Sequence, residues 1–175
     1  MGRASAPSQV DLLDLVDGIA EEAGPTTGYH DAPRRLTADG ARRMREVAAG
    51  VARLGIRPDA VLTSPLTRCV ETAEIVAGPA GVPVRRLDLL RPGARGAQLL
   101  EVLAEYPDAE CVLACGHQPD LTYITQELTG GLADYRRGTL GLIELHALQP
   151  RGGTLVGLYP PKVLRRVAGS PHPPP

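Results

Sequence analysis

The sequence contains no phenylalanine and no tryptophan, and tyrosine occurs at only five of its 175 positions. A hydrophobic core made from these residues must therefore be aliphatic, and binding of nucleic acids by stacking bases on aromatic rings is not expected. The 19 lysine and arginine residues are balanced by 20 aspartate and glutamate residues, for a formal net charge of −1. This balance lacks the basic excess of a nucleic-acid-binding protein.

Cysteine is also scarce, with three residues and no Cys-x-x-Cys pair. An odd number without that pair argues against a disulfide framework and against a zinc site, so we expect reduced thiols and no bound metal. No run reaches the roughly 18 to 20 apolar residues of a membrane span, and the N-terminus lacks the apolar segment of a secretory signal. The sequence therefore predicts a soluble cytoplasmic protein with no membrane partner, and it leaves the oligomeric state open.

The length and a hydrophobic fraction of 43% predict a single domain, which we place at residues 10–167. Residues 1–9 and the proline-rich residues 168–175 have no apolar periodicity, and we expect both segments to be disordered.

Within the predicted domain, short apolar runs alternate with helical patterns. The predicted strands are 10–16, 60–64 and 111–116. The predicted helices are about 37–54, 64–77, 96–106 and 119–130. Residues 139–148 and 154–159 are predicted to form an antiparallel hairpin. This order is typical of an α/β fold, a three-layer α/β/α sandwich around a mostly parallel sheet with an antiparallel C-terminal strand or hairpin. We expect His146 to lie on the polar face of the hairpin.

Three polar junctions follow the predicted strands, at the sheet edge where α/β proteins bind ligands. Val16-Asp17-Gly18 follows the first strand, Arg68 lies in the first turn of the helix after the second, and His117 follows the third. A helix N-terminus favours an anion, and an arginine presents a planar fork of donors that matches phosphate oxygens. An adjacent histidine can add a charge-assisted hydrogen bond, so the junctions together predict an oxyanion pocket.

Several short motifs share an order and spacing that point to a known family. They are Arg35-Leu36-Thr37 with Gly40, Ser64-Pro65 with Arg68, Thr72 and Ala73, Gly116-His117-Gln118-Pro119, Arg137-Gly138-Thr139, and residues 158–165. Over about residues 11–166 the chain resembles the small bacterial phosphohistidine phosphatases of the SixA type, in the phosphoglycerate mutase-like histidine phosphatase superfamily. The resemblance implies a hydrolase that removes phosphate from phosphohistidine on a signalling protein without a metal or cofactor.

The resemblance also implies roles for individual residues. In that family an Arg-His-Gly sequence supplies the nucleophilic histidine, while two arginines and a second histidine hold the phosphoryl oxygens. Arg68 matches the second arginine, His117 matches the second histidine, and Gly18 matches the glycine. This chain departs at the other two positions, because Val16 replaces the first arginine and Asp17 replaces the nucleophile. The site loses one positive charge and gains one negative charge, so a dianionic phosphoryl group should bind poorly.

Two roles are open for Asp17. In one, its carboxylate forms an internal ion pair with Arg68 and His117 and so mimics the missing anion. In the other, Asp17 accepts the phosphoryl group itself, which would require a divalent cation that Glu21 and Glu22 could help to bind.

The loop after the first strand offers further auxiliary residues. His30 and Asp31 are candidates for a replacement nucleophile, and Arg34 or Arg35 could supply the positive charge that Val16 lacks. An arginine facing Arg68 across an anion would support that role, whereas a salt bridge elsewhere would remove it.

Two functions follow from this reading. One is a phosphohistidine phosphatase of reduced or lost activity, acting on a phosphorylated protein or a small phosphoester. The other is a non-catalytic protein that binds phosphate or a partner protein. An unrelated α/β hydrolase is disfavoured because no Gly-x-Ser-x-Gly sequence occurs, and the absence of a Gly-x-Gly-x-x-Gly sequence and a P-loop argues against a nucleotide cofactor.

Overall fold

The computed structural model describes residues 9–22, 24, 31 and 33–169. The strands are β1 (Val10–Val16), β2 (Ala60–Thr63), β3 (Val84–Arg86), β4 (Cys111–Gly116), β5 (Leu140–Leu145) and β6 (Gly153–Tyr159). The helices are α1 (Ala38–Arg53), α2 (Thr67–Ala77), α3 (Gly96–Leu103), α4 (Asp120–Thr129) and α5 (Pro161–Gly169).

The six described strands form one sheet in the order β3-β2-β4-β1-β5-β6. The pairs β1 with β4, β2 with β4 and β2 with β3 are parallel, while β5 runs antiparallel to both β1 and β6. The predicted mostly parallel sheet with an antiparallel C-terminal hairpin is therefore confirmed. The carboxyl ends of β1, β2 and β4 lie side by side, which brings the three polar junctions to one edge.

Helices cover both faces of the sheet, and the core between the layers is aliphatic. Leu12 packs with the α3 and α4 side chains, whereas Leu13, its neighbour along β1, packs with those of α1, α2 and α5. Strands buried on both faces must be apolar at consecutive positions, which explains the continuous apolar run of β1. Within residues 9–22 and 33–169, no helix combines the length and apolar character that crossing a membrane requires.

The structure differs from the sequence-based prediction at the C-terminal end. Ala168 and Gly169, which we expected in a disordered tail, belong to helix α5. The sequence did not predict this helix, because Leu164 is the only residue that α5 buries fully. The short strand β3 was also missed, since it lies at the sheet edge and is half exposed. His146 lies just beyond the end of β5 and is exposed. Residues 1–8 and 170–175 are outside the described residues.

Close packing of α5 on α1 depends on Gly50. A Cβ atom at this position would lie 2.1 Å from the carbonyl oxygen of Leu164, so the helix backbones touch. We expect Gly50→Ala to lower the free energy of unfolding by about 1 to 3 kcal/mol, the usual cost of overpacking. Urea unfolding is the measurement.

Gly78→Ala is the matched control for this packing. Gly78 has a helical φ of −49°, and an added Cβ would meet nothing within 4 Å. The free energy of unfolding of the Gly78→Ala variant should stay the same or rise slightly, because alanine restricts the conformations of the unfolded chain. Equal effects of the two substitutions would show that α5 does not pack on α1 in this way.

Candidate functional site

A cavity of 330 Å³ opens at the edge of the sheet where β1 and β4 end. Asp17 follows β1, His117 follows β4, and Arg68 extends from the first turn of α2. The lining residues are Val16, Asp17, Gly18, Ala20, Arg34, Arg68, His117, Gln118, Tyr135, Arg136 and Arg137. The three side chains that the sequence singled out thus meet at the base of one cavity.

An ion pair between Asp17 and Arg68 fills the base of the cavity. Arg68 Nε donates to Asp17 Oδ2 at 2.7 Å, and each residue is 8% exposed. Burial raises the pKa of the Asp17 carboxyl, and the charge and hydrogen bond of Arg68 oppose that rise. The contact is the one expected if Asp17 substitutes for a bound anion.

The remaining donors of Arg68 are also engaged. Its Nη1 donates to the carbonyl oxygen of Asp31 at 3.2 Å, and its Nη2 lies 2.9 Å from Asp31 Oδ2 and 3.0 Å from His117 Nδ1. Burial acts against the charge of Arg68, but the carboxylates of Asp17 and Asp31 outweigh it and raise the pKa of the guanidinium. The arginine that the resemblance assigns to phosphate therefore already holds two carboxylates of its own chain.

Asp31 bridges two arginines. Its Oδ1 lies 2.8 Å from Arg34 Nη1, while Oδ2 faces Arg68. Partial burial acts to raise the pKa of Asp31, but the hydrogen bond from Arg34 and the charge of Arg68 lower it overall. Arg34 thus faces Arg68 across an anion, as expected for an arginine that compensates for Val16, and Asp31 is a counterion and not a free nucleophile.

His117 is held as a neutral hydrogen-bond acceptor toward Arg68. A guanidinium only donates, so His117 Nδ1 accepts from Arg68 Nη2, and the proton on Nε2 points to Ser64 Oγ at 2.8 Å. Burial, together with the positive charge of Arg68, lowers the pKa of His117 to about 4. Its Nδ1 lies 3.9 Å from Asp17 Oδ1, beyond hydrogen-bond distance, so the expected ion pair involves Arg68 and not His117.

The backbone amide of Gly18 is not available to a ligand. It donates to Thr72 Oγ1 at 3.1 Å, and that hydroxyl in turn donates to the carbonyl oxygen of Arg68 at 2.7 Å. The phosphate-binding role that the resemblance implies for Gly18 is therefore not open in this arrangement. Instead, the pair Gly18 and Thr72 ties the end of β1 to the first turn of α2.

The other auxiliary candidates lie away from the cavity or outside the described chain. Arg35 Nε forms an exposed salt bridge with Glu71 Oε1 at 2.7 Å, which removes Arg35 as the replacement for the missing arginine. Glu21 is exposed and does not line the cavity, so it does not support a cation beside Asp17. His30 falls outside the described residues.

One cluster has the spacing of metal ligands. The donor atoms of Asp17, Cys69 and His117 lie within 4.8 Å of one another. However, Arg68 already donates to the Asp17 carboxylate and to His117 Nδ1, so a second cation would have to displace a guanidinium. This arrangement does not fit a divalent cation, and it disfavours an acyl-phosphate mechanism at Asp17.

Sequence reasoning missed the wall formed by Tyr135, Arg136 and Arg137. Because β5 runs antiparallel to β1, the segment before β5 returns to the point where β1 ends. Gly138 N donates to the Val16 carbonyl at 3.2 Å and fixes this segment there. Arg137 belongs to the Arg137-Gly138-Thr139 motif on which the resemblance rests, so this motif was a signal for it, although no role at the site was assigned to it. The positions of Tyr135 and Arg136 depend on the pairing of β5 with β1, which the sequence does not specify.

Comparisons with known proteins converge on one family. A model of the family described as "Histidine phosphatase superfamily (branch 1)" matches residues 20–98. An uncharacterized protein of Picosynechococcus sp. is 42% identical over 116 residues, which is 64% of this chain and 68% of that protein.

Three solved structures that share the fold are named as phosphatases. The protein histidine phosphatase SixA, solved with tungstate, superimposes with a TM-score of 0.75 at 22% identity, covering 89% of this chain and 99% of that chain. A phosphoserine phosphatase from Entamoeba histolytica gives 0.66 at 15% identity, with 89% and 99% covered. The alpha-ribazole phosphatase from Shigella flexneri gives 0.64 at 19% identity, with 87% and 97% covered. At these identities the structures establish the fold alone.

Proposed function

Because the chain belongs to the histidine phosphatase superfamily, we propose that it is a member with impaired or lost hydrolase activity, in which the Asp17–Arg68 ion pair closes the catalytic position. The 2.7 Å contact between Arg68 Nε and Asp17 Oδ2 carries this proposal. The Asp17 carboxylate is bound to the Arg68 guanidinium, which by resemblance to the family would hold a phosphoryl group.

Three features of the site support impaired hydrolysis. Asp17 stands where the nucleophilic imidazole should be, and an ionised carboxylate repels an incoming phosphate. Val16 is 1% exposed and supplies no positive charge. His117 is neutral and offers Arg68 a lone pair, so it does not donate to a phosphoryl oxygen. Phosphate binding at the base would require displacing Asp17 and Asp31 from Arg68 at the same time.

The related activity that we infer is removal of phosphate from a phosphorylated protein or a small phosphoester. SixA, with the same fold, is a protein histidine phosphatase. A second candidate function is a non-catalytic binding module for such a phosphorylated ligand. Arg34, Arg136 and Arg137 also line the cavity and favour this function, since they add positive charge beside the Arg68 guanidinium that Asp17 offsets.

Restoring the motif should restore hydrolysis. We expect Val16→Arg with Asp17→His to release phosphate from an aryl phosphate and from a phosphohistidine protein at least about tenfold faster than the original chain, the scale of one added charged interaction in the transition state. The double change reinstates the nucleophile and the first arginine. Colorimetric phosphate release is the measurement, and circular dichroism checks that each variant is folded.

Two further variants separate charge from chemistry. Val16→Arg with Asp17→Asn has the positive charge but no imidazole and should stay inactive. Asp17→His alone should show intermediate activity and avoids placing a buried arginine. Equal activity in the original chain and the double variant would show that Asp17 is not at the nucleophile position. Activity of the original chain that requires Mg²⁺ would favour the aspartyl mechanism instead.

A further inference from the structure

Helices α1 and α5, which pack together on one face of the sheet, carry a large excess of positive charge. They contain seven basic residues and two acidic ones, a formal net charge of +5, although the whole chain has a net charge of −1. Helices α3 and α4, on the opposite face, contain three acidic residues and no basic one. Arg42, Arg43, Arg45 and Arg53 lie on α1, and Lys162, Arg165 and Arg166 lie on α5. We call these seven residues the basic surface.

Ion pairs within the basic surface involve three of its seven residues. Asp39 pairs with Arg42 and with Arg43, and Glu46 pairs with Arg42 and with Arg165. Two carboxylates are thus shared among three guanidinium groups, and this cluster keeps an excess of one positive charge.

The other four basic residues have no counterion. Arg45, Arg53, Lys162 and Arg166 are exposed, and none of their side chains makes a hydrogen bond or salt bridge with another described residue. All 20 acidic residues of the chain are among the described residues, so no other aspartate or glutamate of the chain could pair with these four. Carboxylates that neutralise the basic surface must therefore come from another molecule.

The charges on α5 do not stabilise their own helix. Lys162 lies in the first turn of α5, where the helix dipole disfavours a cation. Arg166 follows four residues later on the same side, and like charges at this spacing destabilise a helix. The sequence of α5 contains no acidic residue that could offset either charge. This placement is the one expected for residues that bind an anionic partner.

The composition of the basic surface favours an acidic protein over a nucleic acid or a membrane. Helices α1 and α5 contain no aromatic residue, so they offer nothing on which bases could stack. Among the residues of these two helices, Val163 is the single large hydrophobic side chain that is exposed, which is too little apolar surface for a membrane-bound helix. Asp39 and Glu46 lie among the arginines and would repel a uniform polyanion, whereas the surface of a protein can match mixed charges.

We propose that the basic surface of α1 and α5 docks a partner protein through a carboxylate-rich surface of that partner, which the four unpaired basic residues contact. None of the seven basic residues lines the cavity at the ends of β1 and β4. Docking therefore goes beyond the proposed function and does not depend on closure of that cavity by Asp17. Opposite charges would speed the encounter with such a partner, and salt would weaken this effect.

A synthetic peptide of about twelve residues, rich in glutamate and acetylated at its N-terminus, is the probe for a carboxylate-rich surface. In fluorescence anisotropy at low ionic strength it should bind the chain, and an analogue with glutamine in place of each glutamate should not. Lys162→Glu with Arg166→Glu should weaken binding about tenfold or more, because two attractive charges become repulsive. Circular dichroism checks that each variant is folded.

Arg91→Glu with Arg151→Glu is the matched control. Both arginines are exposed, Arg91 precedes α3, and the backbone of Arg151 is bonded to the end of α4, so the variant changes the net charge equally on the other side of the sheet. It should weaken binding of the peptide about twofold at most, because salt and water screen distant charges.

Lys162 provides a second, site-specific measurement because it is the only lysine of the chain. Carbodiimide coupling of the bound peptide should join one of its carboxylates to Lys162 Nζ as an amide, which mass spectrometry can locate. Lys162→Arg keeps the charge without the primary amine, so it should bind the peptide like the original chain and lose this cross-link. Arg45→Glu with Arg166→Glu should reduce the cross-link while leaving Lys162 in place.

Three results would contradict the proposed docking. Absence of peptide binding, or equal weakening by the two charge-reversed pairs, would show that the basic surface is not a docking site, without bearing on the closed cavity. Tighter binding of a single-stranded oligonucleotide or of phosphatidylglycerol vesicles, with the same dependence on Lys162 and Arg166, would show that the partner is not a protein. Self-association that Lys162→Glu with Arg166→Glu abolishes would identify a second copy, docked through its acidic α3 and α4, in place of a partner protein.

Discussion

Replacing Asp14 by leucine is expected to raise the free energy of unfolding at pH 7 by about 4 kcal/mol. Asp14 lies in the middle of β1 and is fully buried. Burial raises the pKa of its carboxyl from 3.8 to about 8, and the hydrogen bond from Thr125 opposes this only weakly. At pH 7 the folded chain must therefore hold a proton that the unfolded chain releases, and this difference lowers stability.

The surroundings of Asp14 explain why its carboxyl is so poorly satisfied. Its Oδ2 accepts from Thr125 Oγ1 at 3.5 Å, a long contact, and its Oδ1 has no hydrogen-bond partner among the described residues. Its neighbours across the sheet are Ala114 and Gly141, which have no polar side chains. Leucine would remove the unsatisfied oxygen and add apolar burial.

The sign of the pH dependence follows from the raised pKa. Below about pH 4 both states hold the proton, and Asp14 ionisation costs nothing. Between that pH and about 8 the unfolded chain releases the proton while the folded chain retains it, so stability falls by about 1.4 kcal/mol per pH unit. Above about 8 the full loss is reached. Asp14→Leu should lack this decline.

Asp14→Asn is the control that separates ionisation from polarity. It cannot ionise, so it should remove the same pH dependence, but it keeps a buried polar group and should gain less stability than leucine. Urea unfolding at pH 4.5, 6 and 7.5 gives the comparison, and differences from the original chain at each pH cancel the titration of other carboxyls. A decline with pH that persists in Asp14→Asn, or a loss of stability in Asp14→Leu, would contradict the assignment.

Much of the fold could be predicted because local signals and tertiary packing agree. Thr37 caps α1 by accepting from Gly40 N at 2.9 Å, and Gly130 ends α4 in the left-handed conformation, as their positions in the sequence indicate. The helix predicted to start at Ser64-Pro65 begins instead at Thr67. Its N-cap residue is Leu66, whose side chain cannot accept a hydrogen bond from the first turn. The sequence did not predict the edge strand β3 or the helix α5, because each is short and buries few apolar residues.

The candidate site could be predicted only in part. The rule that ligands lie beyond the strand ends was enough to bring Asp17, Arg68 and His117 together. This rule does not predict that Asp31 bridges Arg34 and Arg68, because that contact depends on the path of a loop. Nor does it predict the position of Arg137, which depends on the antiparallel pairing of β5 with β1. The neutral state of His117 also required the structure, because it follows from burial and from the donor that Arg68 directs at Nδ1.

Replacing Arg68 by methionine is expected to lower the free energy of unfolding by about 3 to 5 kcal/mol. This is the usual cost of removing one partner of a buried ion pair and leaving the other charge unpaired. Methionine keeps much of the apolar stem, so the loss reports mainly on charge and hydrogen bonds. The carboxylate of Asp17, a residue that is 8% exposed, would lose its only hydrogen-bond donor among the described side chains. Asp17→Asn should cost less, since Arg68 keeps the carboxylate of Asp31.

The double variant Arg68→Met with Asp17→Asn decides whether the pair is coupled. If the ion pair closes the site as proposed, the double variant should be more stable than Arg68→Met alone, because no uncompensated carboxylate remains. Loss of the neighbouring guanidinium should also raise the pKa of His117, which an NMR titration can follow, although burial still holds it down. In Arg68→Met a protonated His117 could then approach Asp17, so the destabilisation should be smaller at pH 5.5 than at pH 8. Strictly additive effects with no change at His117 would mean that Asp17 and Arg68 do not interact in solution.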